Sequence, residues 1–425
     1  MLEEQIINVN GLDVHVVSTS KYKTTNFVLQ IKSTLSKETA TERSLLANVL
    51  KSASKQFPSR KEIRLYLDNL YGASFHADVQ KKGENHIISF RLEAANEKFL
   101  KDNTPLFKKS LSFLHEVLEN PFLDDKGGFS EKVIREEKRT LKQRMESIYD
   151  DKIRYANKRL LEEMCKDEPY SVHPFGEMEK IDKINSDTLM QEYKRMLQED
   201  DIRLYIVGDV KAEEVEEAAS IFSVTSHSPQ KQADTQQSKP LNEPKEKTET
   251  DDINQGKLHL GYRTAVTFAD ERFPAMQVMN GLFGGFPHSK LFMNVREKES
   301  MAYYAASRYE SLKGLVLVFA GIEASKYEKA VEIIKKQLDD MKQGNFTDEA
   351  VEQTKVMVKN QLLETADSAR GLVDLYYQSI AAGNQRELTE WVKAIDSVTK
   401  HDVIDAAATV ELDTCYFLRG EEAAK

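Results

Sequence analysis

Nine histidines and two cysteines are the residues of this chain best suited to hold a metal or supply a nucleophile, so their spacing comes first. A helix that binds zinc presents two histidines at i and i+4, as in H-E-x-x-H or the inverted H-x-x-E-H, and no two histidines here have that spacing. The nearest candidates are His76 and His86, expected on two neighbouring strands with Glu84 close by; a zinc site there competes with the plainer reading of two ordinary histidines. Cys165 and Cys415 carry no Cys-x-x-Cys motif and are expected to be reduced thiols. No G-x-S-x-G elbow supports serine hydrolysis. The one glycine cluster, GLFGGFPHSK, has neither phosphate-loop spacing nor a preceding strand, so Gly284 and Gly285 are expected in a turn between two helices. Lys/Glu-rich text such as REEKRTLKQR suits solvated helix faces with i, i+4 pairs.

The elements that would position such residues divide into two halves. At 425 residues the chain suits two domains rather than one core. A formal charge of -10 with both signs interspersed argues against nucleic-acid binding, which needs a clustered basic face. No apolar run is long enough to cross a membrane, and the N-terminus MLEEQIINVNGLDVHVV has no signal-peptide pattern, so the expected location is cytoplasmic. Residues 225–252, TSHSPQKQADTQQSKPLNEPKEKTETDD, contain almost no large apolar side chains and read as a flexible linker. Domains are therefore expected over 1–224 and 253–425. In each, strands and helices follow the order β–αα–ββ–α–long α–α–β, at a separation of roughly 220 residues, which indicates a duplicated domain. Grouped strands and grouped helices make each half α+β, one sheet with helices on one face.

Residues 281–310, GLFGGFPHSKLFMNVREKESMAYYAASRYE, resemble the C-terminal-domain signature of the pitrilysin/insulysin family of inverted-motif zinc peptidases, which includes the processing peptidases. The matching elements are Gly284-Gly285, Ser289-Lys290-Leu291-Phe292, Arg296-Glu297-Lys298 and Ala302-Tyr303. The resemblance implies that Arg296 and Tyr303 approach a substrate carbonyl, where a cation and a phenol are suitable donors. KEIRLYLDNLYGASFHADVQ, residues 61–80, resembles the family's helix, glycine turn and substrate-pairing edge strand, with His76 and Ala77 at the pairing positions. HPFGEMEKI, from His173, resembles its H-P-L-G stretch.

The same resemblance places the zinc positions, and here the chain departs from the pattern. Counting back from the 61–80 match, H-x-x-E-H falls on Ser44, Ala47 and Asn48; if Glu137 matches the earlier of two glutamates on the long helix, the last ligand falls on Arg144. A hydroxyl, a methyl, a carboxamide and a guanidinium supply neither zinc ligands nor a general base, so no catalytic residue, metal or cofactor is expected. The resemblance then implies a non-catalytic member acting beside an active peptidase subunit and holding a peptide or protein substrate. Such a chain occurs in bacilli, in a context linked to modification of elongation factor P. The alternative is a stand-alone peptide-binding scaffold without a hydrolytic partner.

Overall fold

The structure, a computed structural model, describes residues 4–227, 243–381, 383 and 387–420. Two compact units emerge, one holding the described residues of Met1–Ser147 and Val172–Lys231, the other those of Ile148–Ser171 and Gln232–Lys425.

The first unit opens with β1 (Glu4–Val9), β2 (Leu12–Ser18) and β3 (Thr24–Thr34). Two helices follow, α1 (Ala40–Ser52) and α2 (Arg60–Asn69), then the hairpin β4 (Ser74–Lys82) and β5 (Asn85–Ala95). Next come α3 (Leu106–Glu119) and α4 (Glu131–Asp150), and the chain enters the second unit with α5 (Lys152–Met164). It returns for α6 (Met178–Ile181), α7 (Ser186–Glu199), β6 (Asp201–Gly208) and α8 (Ala212–Ala219). The sheet order is β1-β2-β6-β3-β5-β4, with β2 and β6 parallel. Side chains alternate across the strands, so Phe27, Leu29 and Ile31 of β3 join Ile88, Phe90 and Leu92 of β5 and Leu204 and Ile206 of β6 in one core. Leu45, Leu46, Val49 and Leu50 of α1 pack onto it. Eleven of the thirteen α1 residues are buried, so its polar side chains must find partners inside the protein.

The second unit continues with β7 (Lys245–Asp251), β8 (Gly256–Arg263) and α9 (Phe273–Asn280), then two wide π-type helical stretches, Gly281–Gly285 and Leu291–Lys298. β9 (Ala302–Glu310) and β10 (Leu315–Ile322) precede α10 (Tyr327–Lys342), α11 (Asp348–Asp367) and α12 (Ala369–Ala381). α13 (Leu388–Asp396), α14 (Lys400–Ala408) and β11 (Glu411–Gly420) close it. The sheet order is β7-β11-β8-β10-β9, with β7 and β11 parallel. Each β2-β6-β3-β5-β4 strand thus has a counterpart, in order β7, β11, β8, β10 and β9, with the same pairing directions. Both sheets end on an edge strand, β4 in one and β9 in the other.

The fold is α+β, two sheets with helical layers, as the element order predicts. Several details differ. Within the stretch read as a flexible linker, Lys245–Asp251 is a strand, while residues 228–242 lie outside the described residues. Its sequence KEKTETD shows no apolar alternation because it is a solvated edge, held by β11 and by ion pairs rather than by burial. Arg159 of α5 takes Glu249 at 2.6 and 3.0 Å, and Lys152 reaches Asp251 at 2.7 Å. The long helix of the first half's element order is broken, because Asp151 caps α5 by accepting from the amides of Ile153 and Arg154, and Ile148–Ser171 joins the second unit. There α5 covers the sheet face opposite the main helical layer, packing Leu160 and Met164 with Leu315, Leu317 and Tyr416. Gly284 and Gly285 lie inside a π-type stretch rather than a turn; a Cβ on Gly284 would come within 2.7 Å of the Ser307 amide of β9, so only glycine lets this helix sit so close to the strand. No helix among the described residues is long and apolar enough to cross a membrane.

Candidate functional site

Side chains of α1 and α4 meet and bring together Asn48 and Arg144, two of the positions matched to the zinc motif. Ser44 and Asn48 share one face of α1, and Glu137 and Arg144, two turns apart, share one face of α4. Arg144 Nη1 donates to Asn48 Oδ1 at 3.5 Å. The Ser44 hydroxyl is used elsewhere, donating to the Pro174 carbonyl at 2.7 Å. Ala47 is 1% exposed and belongs to the apolar core. Glu137, 2% exposed, accepts from the Ser52 hydroxyl and from Arg60 at the start of α2. Among the described residues no group of three His, Cys, Asp or Glu side chains could hold a metal ion. Zinc does not fit this set: one donor is already bonded, one position is a methyl, and a guanidinium stands at the amide oxygen.

Positive charge takes the place of a metal. Lys51, one turn beyond Asn48 on α1, makes no side-chain hydrogen bond or ion pair among the described residues. Burial, and then the like charges of Arg144 and Arg60, lower its pKa, against the opposing pull of Glu137 and Asp78. Sequence reasoning missed Lys51 and Arg60. Lys51 lies i+3 from Asn48, so helical spacing alone would have put it on the same face. Arg60 is brought in only by the tertiary approach of α2.

The loop His173–Gly176 docks on α1. Gly176 has φ +75°, and a Cβ there would lie 2.6 Å from the Thr41 amide, which explains the glycine of HPFG. The Glu177 amide donates to Thr41 Oγ1 at 3.1 Å. Arg43 of α1, fully buried, reaches Asp200, Glu192 at 3.5 Å and His86 Nδ1 at 3.1 Å. His86 Nε2 in turn donates to the Pro174 carbonyl at 2.8 Å.

This placement removes the suggested His76/His86/Glu84 zinc site. His76 is exposed and pairs in register with Arg91, while His86 is buried and pairs with Lys81, five residues further along β4, roughly 17 Å away at strand spacing. His86 instead joins the Pro174 loop to Arg43 of α1, and Arg43 in turn reaches Glu192 of α7. Ala77 points inward, 6% exposed, on β4, which pairs only with β5 among the described residues, so its outer edge offers backbone donors and acceptors.

In the second unit, Arg296 and Tyr303 are both exposed. The Arg296 guanidinium lies 4.5 Å from the Phe292 ring centroid, with its Nε 3.5 Å from Glu297. Tyr303 is 66% exposed at a bulge of edge strand β9, between Ala302 opposite Ile322 and Tyr304 opposite Gly321. A bulge at an edge re-aims a side chain, and this one turns the phenol to solvent, with no hydrogen bond among the described residues. The cysteines are buried and form no disulfide, and burial pushes the Cys415 thiol up to about 11.

Two buried histidines make stability pH-dependent. Burial, with Arg43 alongside, pushes His86 from 6.5 to about 3; burial, with Lys257 nearby, does the same to His259 of β8, whose two ring nitrogens have no hydrogen-bond partner among the described residues. Unfolded, both take a proton near pH 6.5, whereas folded they take it only near pH 3. The stability they contribute is therefore complete above pH 6.5 and drains away as the pH falls from 6.5 to 3. Each histidine accounts for a slope of about 1.4 kcal/mol per pH unit in that window. Urea titrations from pH 7 to 4.5 should show falling stability, and His259→Phe should remove about half of the histidine-dependent slope; an unchanged slope would contradict the assignment.

Comparison with known proteins agrees with this geometry. Residues 183–357 match the family described as Peptidase M16 inactive domain. The chain is 46% identical over 414 residues, covering 97% of both chains, to the "Probable inactive metalloprotease YmfF" of Bacillus subtilis (strain 168). The crystal structure of a conserved protein from Enterococcus faecalis V583 superposes with a TM-score of 0.92 at 32% identity, covering 99% of this chain and 100% of that one. A peptidase M16 inactive domain from Pseudomonas fluorescens shares the fold, with a TM-score of 0.79 at 15% identity over 100% of both chains. The chain belongs to the M16, or pitrilysin, metallopeptidase family, as a non-catalytic member of the kind found in bacilli.

Proposed function

We propose that this chain is a non-catalytic subunit that holds extended peptide for an active zinc peptidase of the same family, as a hetero-oligomer in the cytoplasm. The observation that carries the reading is the free outer edge of β4 beside an α1–α4 pair that cannot bind zinc. Arg296, steadied on Phe292, and Tyr303, turned outward by its bulge, are suited to donate to peptide carbonyls. In a peptidase assay reconstituted with the family member that carries an intact H-x-x-E-H, Arg296→Ala with Tyr303→Phe should leave partner binding intact and lower turnover about tenfold or more, as loss of two donors to a carbonyl does. Ala77→Pro should also lower turnover if it folds. Peptides N-methylated at alternate amides test the same edge without altering the protein. If all of these behave like their parents, the chain is a structural brace for its partner; if no partner co-purifies, it is a stand-alone scaffold. A role in modifying elongation factor P comes from the family resemblance alone. It requires that the mass of that factor change in cells lacking this chain, and an unchanged mass removes it.

A further inference from the structure

The cationic cluster between α1 and α4 has more positive charge than its surroundings neutralise. Arg60 is matched by Glu137, and Asp78 of β4 faces Arg91, with Oδ2 and Nε 3.3 Å apart. Lys51 and Arg144 are left, half-buried, with one 3.5 Å bond from Arg144 to an amide oxygen as their only side-chain hydrogen bond among the described residues. Two cations held in a partly desolvated place with unused donors form a site for an anion. The place is also positioned: α1 packs on β4, and the charge of Asp78, next to Ala77, acts on Lys51. A strand laid against the outer edge of β4 would run past this spot.

We propose that Lys51 and Arg144 form a carboxylate-binding subsite next to the free edge of β4, which selects extended peptides bearing an acidic side chain or a C-terminal carboxylate there. The inference rests on the reading of β4 as a peptide-holding strand. The Arg144 guanidinium supplies a planar pair of donors and the Lys51 ammonium a compact charge, so a carboxylate satisfies both. The position that would bear a metal ligand in a catalytic relative thus becomes a specificity element, and a peptide carboxylate, not zinc, fills the charge requirement.

Three fluorescent peptides test it with the full chain: an amidated Glu-Ala repeat, an amidated Gln-Ala repeat, and the Gln-Ala repeat with a free C-terminus. At low salt, at least one carboxylate-bearing peptide should bind about tenfold tighter than the amidated Gln-Ala peptide, and which one identifies the source of the carboxylate. The preference should shrink as salt rises. It should vanish in Lys51→Met/Arg144→Met, and Arg144→Glu, a separate variant that reverses the charge, should disfavour the Glu-Ala peptide. Equal binding of all three peptides, or a preference that survives both variants, overturns the subsite while leaving edge pairing intact. Preference that persists on N-methylated peptides instead overturns edge pairing and leaves the subsite. Absence of any binding overturns both.

Discussion

The variant Ser44→His/Ala47→Glu/Asn48→His, which writes H-x-x-E-H into α1, is expected to hold no zinc and to melt well below the parent chain. Ala47 is 1% exposed among Leu and Val side chains, so a glutamate there must bury its carboxyl in apolar surroundings and overfill a packed core. His in place of Ser44 also displaces a hydroxyl bonded to Pro174 and presses on the loop that Gly176 fits against Thr41. Together these changes should cost about 4 kcal/mol or more. For a unit of this size that lowers Tm by roughly 8–16 °C. Zinc gains no foothold, because Arg144 still places a guanidinium beside residue 48. A variant that melts with the parent and holds stoichiometric zinc would show that the α1–α4 geometry is misread. Scanning calorimetry with elemental analysis decides both points.

Asp200→Ala should destabilise the first unit strongly without touching the edge strand. Arg43 has no exposed surface, and Asp200 at the end of α7 is its closest carboxylate partner, with Glu192 at 3.5 Å. Removing that partner leaves a buried guanidinium under-compensated, a change that costs about 3–5 kcal/mol in comparable buried pairs. Arg195, 3.3 Å from Asp200 and 2.6 Å from Glu192, then competes for the remaining carboxylate, so the second acid cannot serve Arg43 alone. The loss should appear as an earlier urea midpoint with an unchanged slope. The double change Arg43→Leu/Asp200→Leu, which removes both charges, should recover much of it. A single variant within about 1 kcal/mol of the parent would mean that the network contributes little.

Much of the fold was legible because short apolar runs, some alternating and some continuous as in LVLVFAGI, mark the buried strands. β3, β5, β8, β10 and β11 all cover the stretches their Val, Ile, Leu and Phe spacing marks. β7 was not legible, since an exposed edge strand of Lys, Glu and Thr looks like linker text until β11 pairs with it. The break between α4 and α5 was readable in principle from Asp151, whose side chain caps two amides, but continuous helical composition on both sides hid it. The Asn48–Arg144 contact followed from residue-by-residue counting along a resemblance rather than from spacing. The groups that give the place its charge, Lys51, Arg60 and Glu137, come from three helices, and no local pattern joins them. Arg43, His86 and Asp200 likewise lie far apart in the chain, and only folding makes them one network.

Zinc content of the purified, unmodified chain tests the non-catalytic assignment most directly. Ser44, Ala47, Asn48 and Arg144 offer no tetrahedral ligand set, so elemental analysis after exposure to zinc and desalting should find far less than about one zinc per chain, unchanged in Asn48→Ala. About one tightly held zinc per chain, lost in Asn48→Ala or Arg144→Ala, would contradict it.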